Sequence, residues 1–542
     1  MRALVIDVLA RAMGRKYTSY DVVGVGPRLV TGLLNQLHVR TDLITYEDLI
    51  RKPSTVENYD VLLLSAMSSD RAALGKMMTL INNYAPETLK IIGGPISFEF
   101  YDILEHVGGD IVVVGEGENQ LIELFKNYRK HLIHRDLEGL AEIRGLAIKI
   151  GKERIVFTGF PQYTSKELLN KIKPFAEVDR VYRRTWMYRF YVEVVRGCSN
   201  FHRPLINIGG GRECIKCMIC RKGDLVNRLW CPRHIPPGCG FCSVPFQFGP
   251  PRSRSIDAIV DEIRDLVRHG ARRIVLSAPD FLDYGREELV KPYPLTDPCR
   301  PGPNYEFIER LLARINEIPE IYGGEVRVFI ENVKACLVDE RVSSILGRFL
   351  KGTTIHIGLE TASKEYNDIV IGKPIGLNEA IHSIKLLREE GLRPYVYLMY
   401  GLPFMKYRVY RETIKSLDKL YEIGVEKITL YKFTPLPMTA FENFKPEIDR
   451  FKGIIGKLKR MVNKYNLLAK KRYFLNKIIR AYVIEENGRL YGYPVDHGPV
   501  IFIRKPLRSI GVGNVCLARV KIVQVKARHV IGDIVSIEKC MH

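Results

Sequence analysis

The chain has 542 residues, 46% apolar and 27% charged, enough for several ordinary cores and too apolar for a disordered chain. Its formal charge of +22 leaves two readings open, a polyanionic partner such as nucleic acid or a basic soluble enzyme. No apolar run approaches the roughly 18 residues of a membrane span, and MRALVIDVLA reads as a strand, not a signal peptide, so a cytoplasmic protein is expected.

Residues 1–130 alternate strands and helices. ALVIDVLA is a buried-strand run, a helix follows at Pro27, and RTDLITY, DVLLLSAMSS, LKIIGGP and DIVVVGEGE are further strands. This predicts a doubly wound parallel sheet, which takes ligands at the carboxyl ends of its strands. Gly93 and Gly94 end one strand and Gly115 and Glu116 follow another. Such glycines let backbone approach a ligand or simply make a tight turn. Residues 131–187 read as a connector with a β-hairpin around Gly151-Lys152.

From 188 to 444 the βα pattern resumes, with strands at FYVEVVRG, RRIVLSAPD, VRVFIEN, TIHIGLETA, RPYVYLMYG and KITLYKF. Six such units predict a (β/α)6 partial barrel, whose chemistry belongs at the carboxyl ends of its strands. Residues 445–485 read as a basic helical segment. Twelve Lys or Arg stand against Glu447 and Asp449 between 445 and 480, with Tyr465, Tyr473 and Phe474 among them. Cations there would neutralise phosphates and the aromatics would stack on unpaired bases; a solvated helix face is the other reading. Residues 486–542 are β-rich and suit a small barrel, completing an α/β chain of three main parts.

Seven of the eleven Cys lie between 198 and 242, a crowding that reads as metal ligation in a chain without a signal. Cys299, Cys336, Cys516 and Cys540 are dispersed and read as small buried hydrophobes. Seven divide as three plus four: three thiolates leave a 4Fe–4S cluster with an open iron, and four close an auxiliary site. His202 and His234 read as surface residues.

YVEVVRGC, GCGFCSVP, RSRSIDAIVDEIRDLVRHGARRIVLSAPDFLDYG and TIHIGLETAS resemble radical S-adenosylmethionine (SAM) enzymes. The N-terminal sheet, with GGP followed by VVVGEGE, resembles the cobalamin-binding domain that precedes many of them. The C-terminal strands resemble a TRAM domain, an RNA-binding module of tRNA methylthiotransferases.

The resemblance implies a cluster whose open iron binds SAM and, on one-electron reduction, yields a 5′-deoxyadenosyl radical. It implies Cys239 and Cys242 as ligands, Phe241 near adenine, Ser277 to Asp280 near the SAM amino group and Glu360 facing the ribose. Asp280 and Glu360 also suit barrel-rim salt bridges. The third ligand is Cys198, which ends the first strand, or Cys231, in C-x7-C-x2-C. If Cys198, then Cys214, Cys217, Cys220 and Cys231, within an insertion over 199–238, hold a second Fe–S cluster or zinc.

Cobalamin would be bound near Gly93, Gly94, Gly115 and Glu116. Asp21, Val23 and Gly26 fit the spacing Asp-x-His-x-x-Gly but put Val where a cobalt-ligating His would stand. The implied activity is radical methylation or methylthiolation of RNA such as tRNA, with an electron donor such as ferredoxin as partner. Radical methylation of a small molecule or a protein side chain is the alternative. A metal-stapled RNA-binding protein without catalysis is the third reading. No catalytic residue is singled out.

Overall fold

In the computed structural model, which describes residues 1–16, 21–151, 154–486, 488–505 and 515–541, the N-terminal apolar run forms strand β1 (Arg2–Asp7), buried from Ala3 onward. Runs of Val, Ile and Leu continue the pattern in β2 (Arg40–Thr45), β3 (Val61–Ser65), β4 (Leu89–Gly93) and β5 (Ile111–Val113). An antiparallel hairpin, β6 (Leu146–Ile150) and β7 (Arg154–Phe157), extends the sheet to the order 2-1-3-4-5-6-7. The expected hairpin is there; Lys152 of its turn lies outside the described residues. Strands 1 to 5 are parallel, so strand order reverses between β1 and β3, and the carboxyl ends of these two strands mark the switch point.

The chain divides into two compact units, Met1–Val194 with Gln247–Ile274, and Val195–Phe246 with Val275–His542. All six strands expected of the partial barrel are present. The first unit holds β8 (Arg189–Glu193) and the start of β9 (Arg273–Ser277). The second holds β10 (Arg327–Ile330), β11 (Thr354–Glu360), β12 (Arg393–Tyr400) and β13 (Lys427–Lys432). Strands β11, β12 and β13 pair in parallel in that order.

In the first unit the helix Val25–Gln36 carries Pro27 in its first turn, where a missing N–H costs nothing. Gly32 sits where this helix meets the segment at Lys173. A Cβ built on it would fall 2.0 Å from the Lys173 carbonyl oxygen and 2.9 Å from the Phe175 amide nitrogen. Gly32→Ala is therefore expected to lower stability by about 1–3 kcal/mol, the usual cost of overpacking. An unchanged denaturation midpoint would show that the backbone there yields freely.

The C-terminal strands, β14 (Ile478–Glu486), β15 (Arg489–Pro494), β16 (Ile501–Lys505), β17 (Val515–Val525) and β18 (Val530–Met541), close a five-stranded barrel in the order 14-15-16-18-17. Strands β16 and β18 run parallel; the other pairs are antiparallel. Ala481, Val483, Ile501, Ala518, Val520, Ile522 and Val530 fill its interior, with Phe474 from the preceding helix.

Four expectations need correction. The basic helix spans Lys452–Phe474 and does not reach 485, because β-branched Ile478 and Ile479 pair with Lys521 and Val520 in the barrel. Tyr465 and Phe474 are buried core residues, and the Tyr473 hydroxyl donates to the Gly424 carbonyl, so these aromatics do not form a stacking surface. Cys299 and Cys336 are joined, as are Cys516 and Cys540, so these four are disulfide partners and not isolated thiols. His202 is buried, not a surface residue, because its ring packs beside Arg221 under the Cys-rich loop. Among the described residues no helix is long and apolar enough to cross a membrane.

Candidate active site and cysteine centre

Gly197, at φ +89°, turns the chain into Cys198. Gly240 lies where a Cβ would be 2.6 Å from the Phe441 ring, so only glycine lets the segment between Cys239 and Cys242 pass this close. The Cys242 amide donates to the Cys239 carbonyl at 2.8 Å, and the short helix Val244–Phe248 follows.

The thiols of Cys198, Cys239 and Cys242 lie close enough to raise one another's pKa. Burial pushes Cys198 up to about 11 and Cys242 up to about 12. Lys334 opposes the rise at Cys198, and Lys373 opposes it at Cys239 and Cys242. Asn200 serves two of the sulfurs. Its amide N–H donates to Cys198 Sγ at 3.5 Å and its Nδ2 donates to Cys239 Sγ at 3.2 Å. Such thiols become thiolates once a metal binds them, which removes the proton outright.

The two lysines are themselves anchored. Lys334 Nζ donates to Ser199 Oγ at 2.8 Å and Asp283 Oδ2 at 2.7 Å and sits 2.8 Å from Asp280 Oδ2. Arg286 completes the cluster on Asp283 and Ser199. Burial raises Asp283, yet Lys334 and Arg286 outweigh it and hold this carboxyl below its ordinary range. Burial prevails at Asp280, whose pKa is raised. Lys373 Nζ is 2.6 Å from Glu360 Oε1. Glu360 has φ +62° at a bulge in β11, and a Cβ on Gly358 would fall 2.6 Å from Lys373 Nζ. Glycine at 358 thus leaves the space in which the pair lies.

Asp280 and Glu360 stand at the ends of β9 and β11, each paired with a lysine. Ser277 ends β9 and is half-buried, and Phe241 is half-buried between its two cysteines. Lys334, Lys373, Asn200, Ser199 and Asp283 were not singled out from the sequence. For Lys334 a signal existed: it follows β10, on the rim where barrel chemistry gathers. No spacing signal marks Lys373 or Asn200.

A second group gathers Cys214, Cys217, Cys220 and Cys231. Cys214 interacts electrostatically with the other three sulfurs. Left-handed Lys216 and Met218 coil the chain between them, and the turn Ile219–Lys222 buries Cys220 while Cys217 stays exposed. Among the described residues no three His, Cys, Asp or Glu side chains close on one point as the ligands of a single ion do.

In the first unit the residues singled out for cobalamin have local partners. A Cβ on Gly94, at φ +91°, would fall 2.7 Å from the Ala66 carbonyl oxygen. Gly93 ends β4 with nothing closer than 4.0 Å to a built Cβ, and the Gly115 amide donates to Ser97 Oγ at 3.2 Å. Glu116 is buried and accepts from the Thr164 amide at 2.7 Å and from Arg252. Asp21 accepts from Arg189 and Arg273, while Val22–Val23 pairs with Arg189 and Phe190 of β8. Fully buried Val23 is therefore a sheet residue.

The sequence pattern described as the radical SAM superfamily matches residues 229–417. An uncharacterized protein from Methanopyrus kandleri is 39% identical over 94% of this chain and 92% of its own length. The ribosomal protein uS12 methylthiotransferase of Thermosipho africanus is 26% identical over 29% of this chain and 41% of its own. A solved structure of TsrM, a radical SAM methyltransferase from Kitasatospora setae with tryptophan substrate and a SAM analogue bound, shares the fold at a TM-score of 0.57 and 13% identity. The match covers 82% of this chain and 75% of that one.

Proposed function

The chain belongs to the radical SAM superfamily, and from that premise we propose that it is an RNA methyltransferase whose 4Fe–4S cluster is held by Cys198, Cys239 and Cys242. The observation that carries this reading is the convergence of these three half-buried cysteines beside two anchored lysines. Bound there with SAM, a three-thiolate cluster supplies one-electron cleavage of SAM to methionine and a 5′-deoxyadenosyl radical.

The chain's own residues set the stage for that chemistry. Asn200 donates hydrogen bonds to two of the thiolates and so favours their charged form. Lys334 and Lys373 offset the negative charge the sulfurs bring. Cobalamin as the methyl carrier is favoured by the doubly wound sheet, whose switch point lies at the ends of β1 and β3, and by the fold shared, at a TM-score of 0.56, with a structure of TsrM that has cobalamin and a 4Fe–4S cluster bound.

RNA is favoured by the closed five-stranded C-terminal barrel, the kind of small barrel on which OB-folds bind oligonucleotides. On β15 and β16 the register sets Tyr491 opposite Phe502, with ring centroids 5.1 Å apart. His529 lies tilted against Phe502 at 4.3 Å, and exposed Arg504 on β16 pairs with Asp533 at 2.7 Å. Half-buried rings beside cations are a surface on which unpaired bases stack. Lys457, Lys459, Arg460 and Lys464 are exposed on the preceding helix.

Incubation of the anaerobic enzyme with cobalamin, RNA and SAM carrying a labelled methyl group should put label into RNA. RNA binding should weaken steeply with salt, since each neutralised phosphate releases about one counterion. Label in a small molecule or protein instead of RNA would move the substrate class. Absence of both SAM cleavage and methyl transfer would end the reading. Methylthiolation is the second reading, favoured by the four further cysteines, and sulfur in the product would establish it.

A further inference from the structure

Within the second unit the chain shapes a cavity of about 660 Å³, in the size range of small-molecule sites. None of its lining residues is among those placed at the SAM site. One wall carries Arg221, Lys222, Leu225 and Arg228; the other is the loop 297–301. Both walls are fixed in place. Arg228 Nη1 donates to Asp297 Oδ2 at 2.5 Å and Thr296 Oγ1 to the Leu225 carbonyl at 2.6 Å, which ties the walls together. Asp297 Oδ1 accepts from the Cys299 and Arg300 amides, each at 2.9 Å, and Arg286 donates to the Pro301 carbonyl at 2.6 Å. The Cys299–Cys336 disulfide anchors the same loop to the segment after β10.

Charge around this cavity is unbalanced. Arg228 is paired with Asp297 and Arg221 with Asp368. Lys222 and Arg300 also line it and are exposed, and among the described residues neither side chain has a carboxylate partner. A further donor is buried. His202 lines the cavity and is 8% exposed, with Arg221 Nη1 at 3.2 Å from its Nδ1. A guanidinium can only donate, so Nδ1 accepts and the ring proton stands on Nε2. That Nε2–H has no acceptor among the described residues. Burial and Arg221 push the imidazole down to about 4, so the ring is neutral and this tautomer holds. Buried donors in native proteins nearly always find a partner.

We infer that this cavity is a nucleotide pocket, which takes a 5′-phosphate against Lys222 and Arg300 and the base against its apolar wall. A phosphate offers several acceptor oxygens at once and the negative charge that two unpaired cations lack. A bound nucleotide also brings the acceptor that His202 is missing. Leu225, Pro298, Pro301 and Pro374 supply apolar surface for the flat face of a base. SAM carries no phosphate and does not answer this pattern of charge. A free nucleotide and a nucleotide within an RNA chain present the same groups, and only the second rests on the RNA reading above.

Equilibrium dialysis of labelled uridine 5′-monophosphate against the anaerobic full-length enzyme tests the pocket, with uridine as the phosphate-free comparison. Wild type should bind the monophosphate at least ~10-fold more tightly than uridine, the worth of one charge-assisted contact. Lys222→Glu and Arg300→Glu alter exposed side chains and should each raise the Kd of the monophosphate by ~10-fold or more, with uridine binding unchanged. Displacement of the monophosphate by pentauridylate, lost in the same variants, would identify the nucleotide as part of an RNA chain. Monophosphate binding that pentauridylate does not compete would identify a free nucleotide; it would count against the RNA reading and leave the pocket standing. Equal affinity of wild type for the monophosphate and uridine would overturn the inference, as would variants that bind the monophosphate as wild type does.

Discussion

Cys198→Ala should abolish SAM cleavage as completely as Cys239→Ala does, by at least ~10³-fold, or about 4 kcal/mol of barrier, while Cys231→Ala should leave cleavage largely intact. The readout is 5′-deoxyadenosine formed under strong reductant. The matched superfamily pattern starts at residue 229, so it takes in Cys231 and leaves Cys198 outside. Local geometry points the other way. Cys198 and Cys239 share the hydrogen-bond donor Asn200, and Cys242 responds electrostatically to both. Cys231 instead neighbours Cys214 and Arg203. Loss of one ligand from a three-thiolate cluster leaves two, too few to hold it in the right place. If Cys231→Ala proves inactive and Cys198→Ala active, the partition of the seven cysteines is wrong.

Glu262→Gln should destabilise the first unit by about 3–5 kcal/mol, the range seen when one partner of a buried ion pair is removed. Glu262 lies on the helix Ile256–Arg268 with a side chain only 2% exposed. Its two oxygens face Arg28 Nη2 at 2.7 Å and Arg254 Nη1 at 2.6 Å. Arg28 also donates to the carbonyls of Tyr191 and Phe175, so it cannot swing out to water without breaking those contacts. Glutamine fills the same space but removes the negative charge that both buried guanidinium groups face. Asp265→Asn on the same helix is the control. Its partner Arg268 is 72% exposed, and such pairs contribute roughly 0–1 kcal/mol. Equal shifts in the denaturation midpoint for the two variants would refute the account.

The strands were legible because their signal is local. Runs such as VLLLS and KIIG carry the period of a buried parallel strand, and each of the six barrel strands appeared where its β-branched residues cluster. The Cys-x-x-Cys pair was legible for the same reason: ligand spacing is a property of a few consecutive residues. What the sequence did not reveal depends on contacts across long separations. Lys373 meets Glu360 across a bulge, and Lys334 meets Ser199 from 135 residues away. The Cys299–Cys336 pairing spans 37 residues of loop and helix. Tyr465 and Phe474 misled for a related reason. Their neighbours are cationic, but helical geometry turns these two rings inward while Lys471 and Arg472 between them stay exposed.

Glu360 occupies a backbone conformation that a glycine would adopt without strain, whereas a non-glycine residue held there costs on the order of 1–3 kcal/mol. Its carboxylate is the partner of Lys373, so relief of the backbone and retention of the ion pair are mutually exclusive at this position. Glycine at 360 would release that strain but leave Lys373 without its carboxylate, a loss that exceeds the relief. The strained backbone at 360 is thus held in place by the charge pair it serves, and the shift in denaturation midpoint on Glu360→Gly measures the difference between the two.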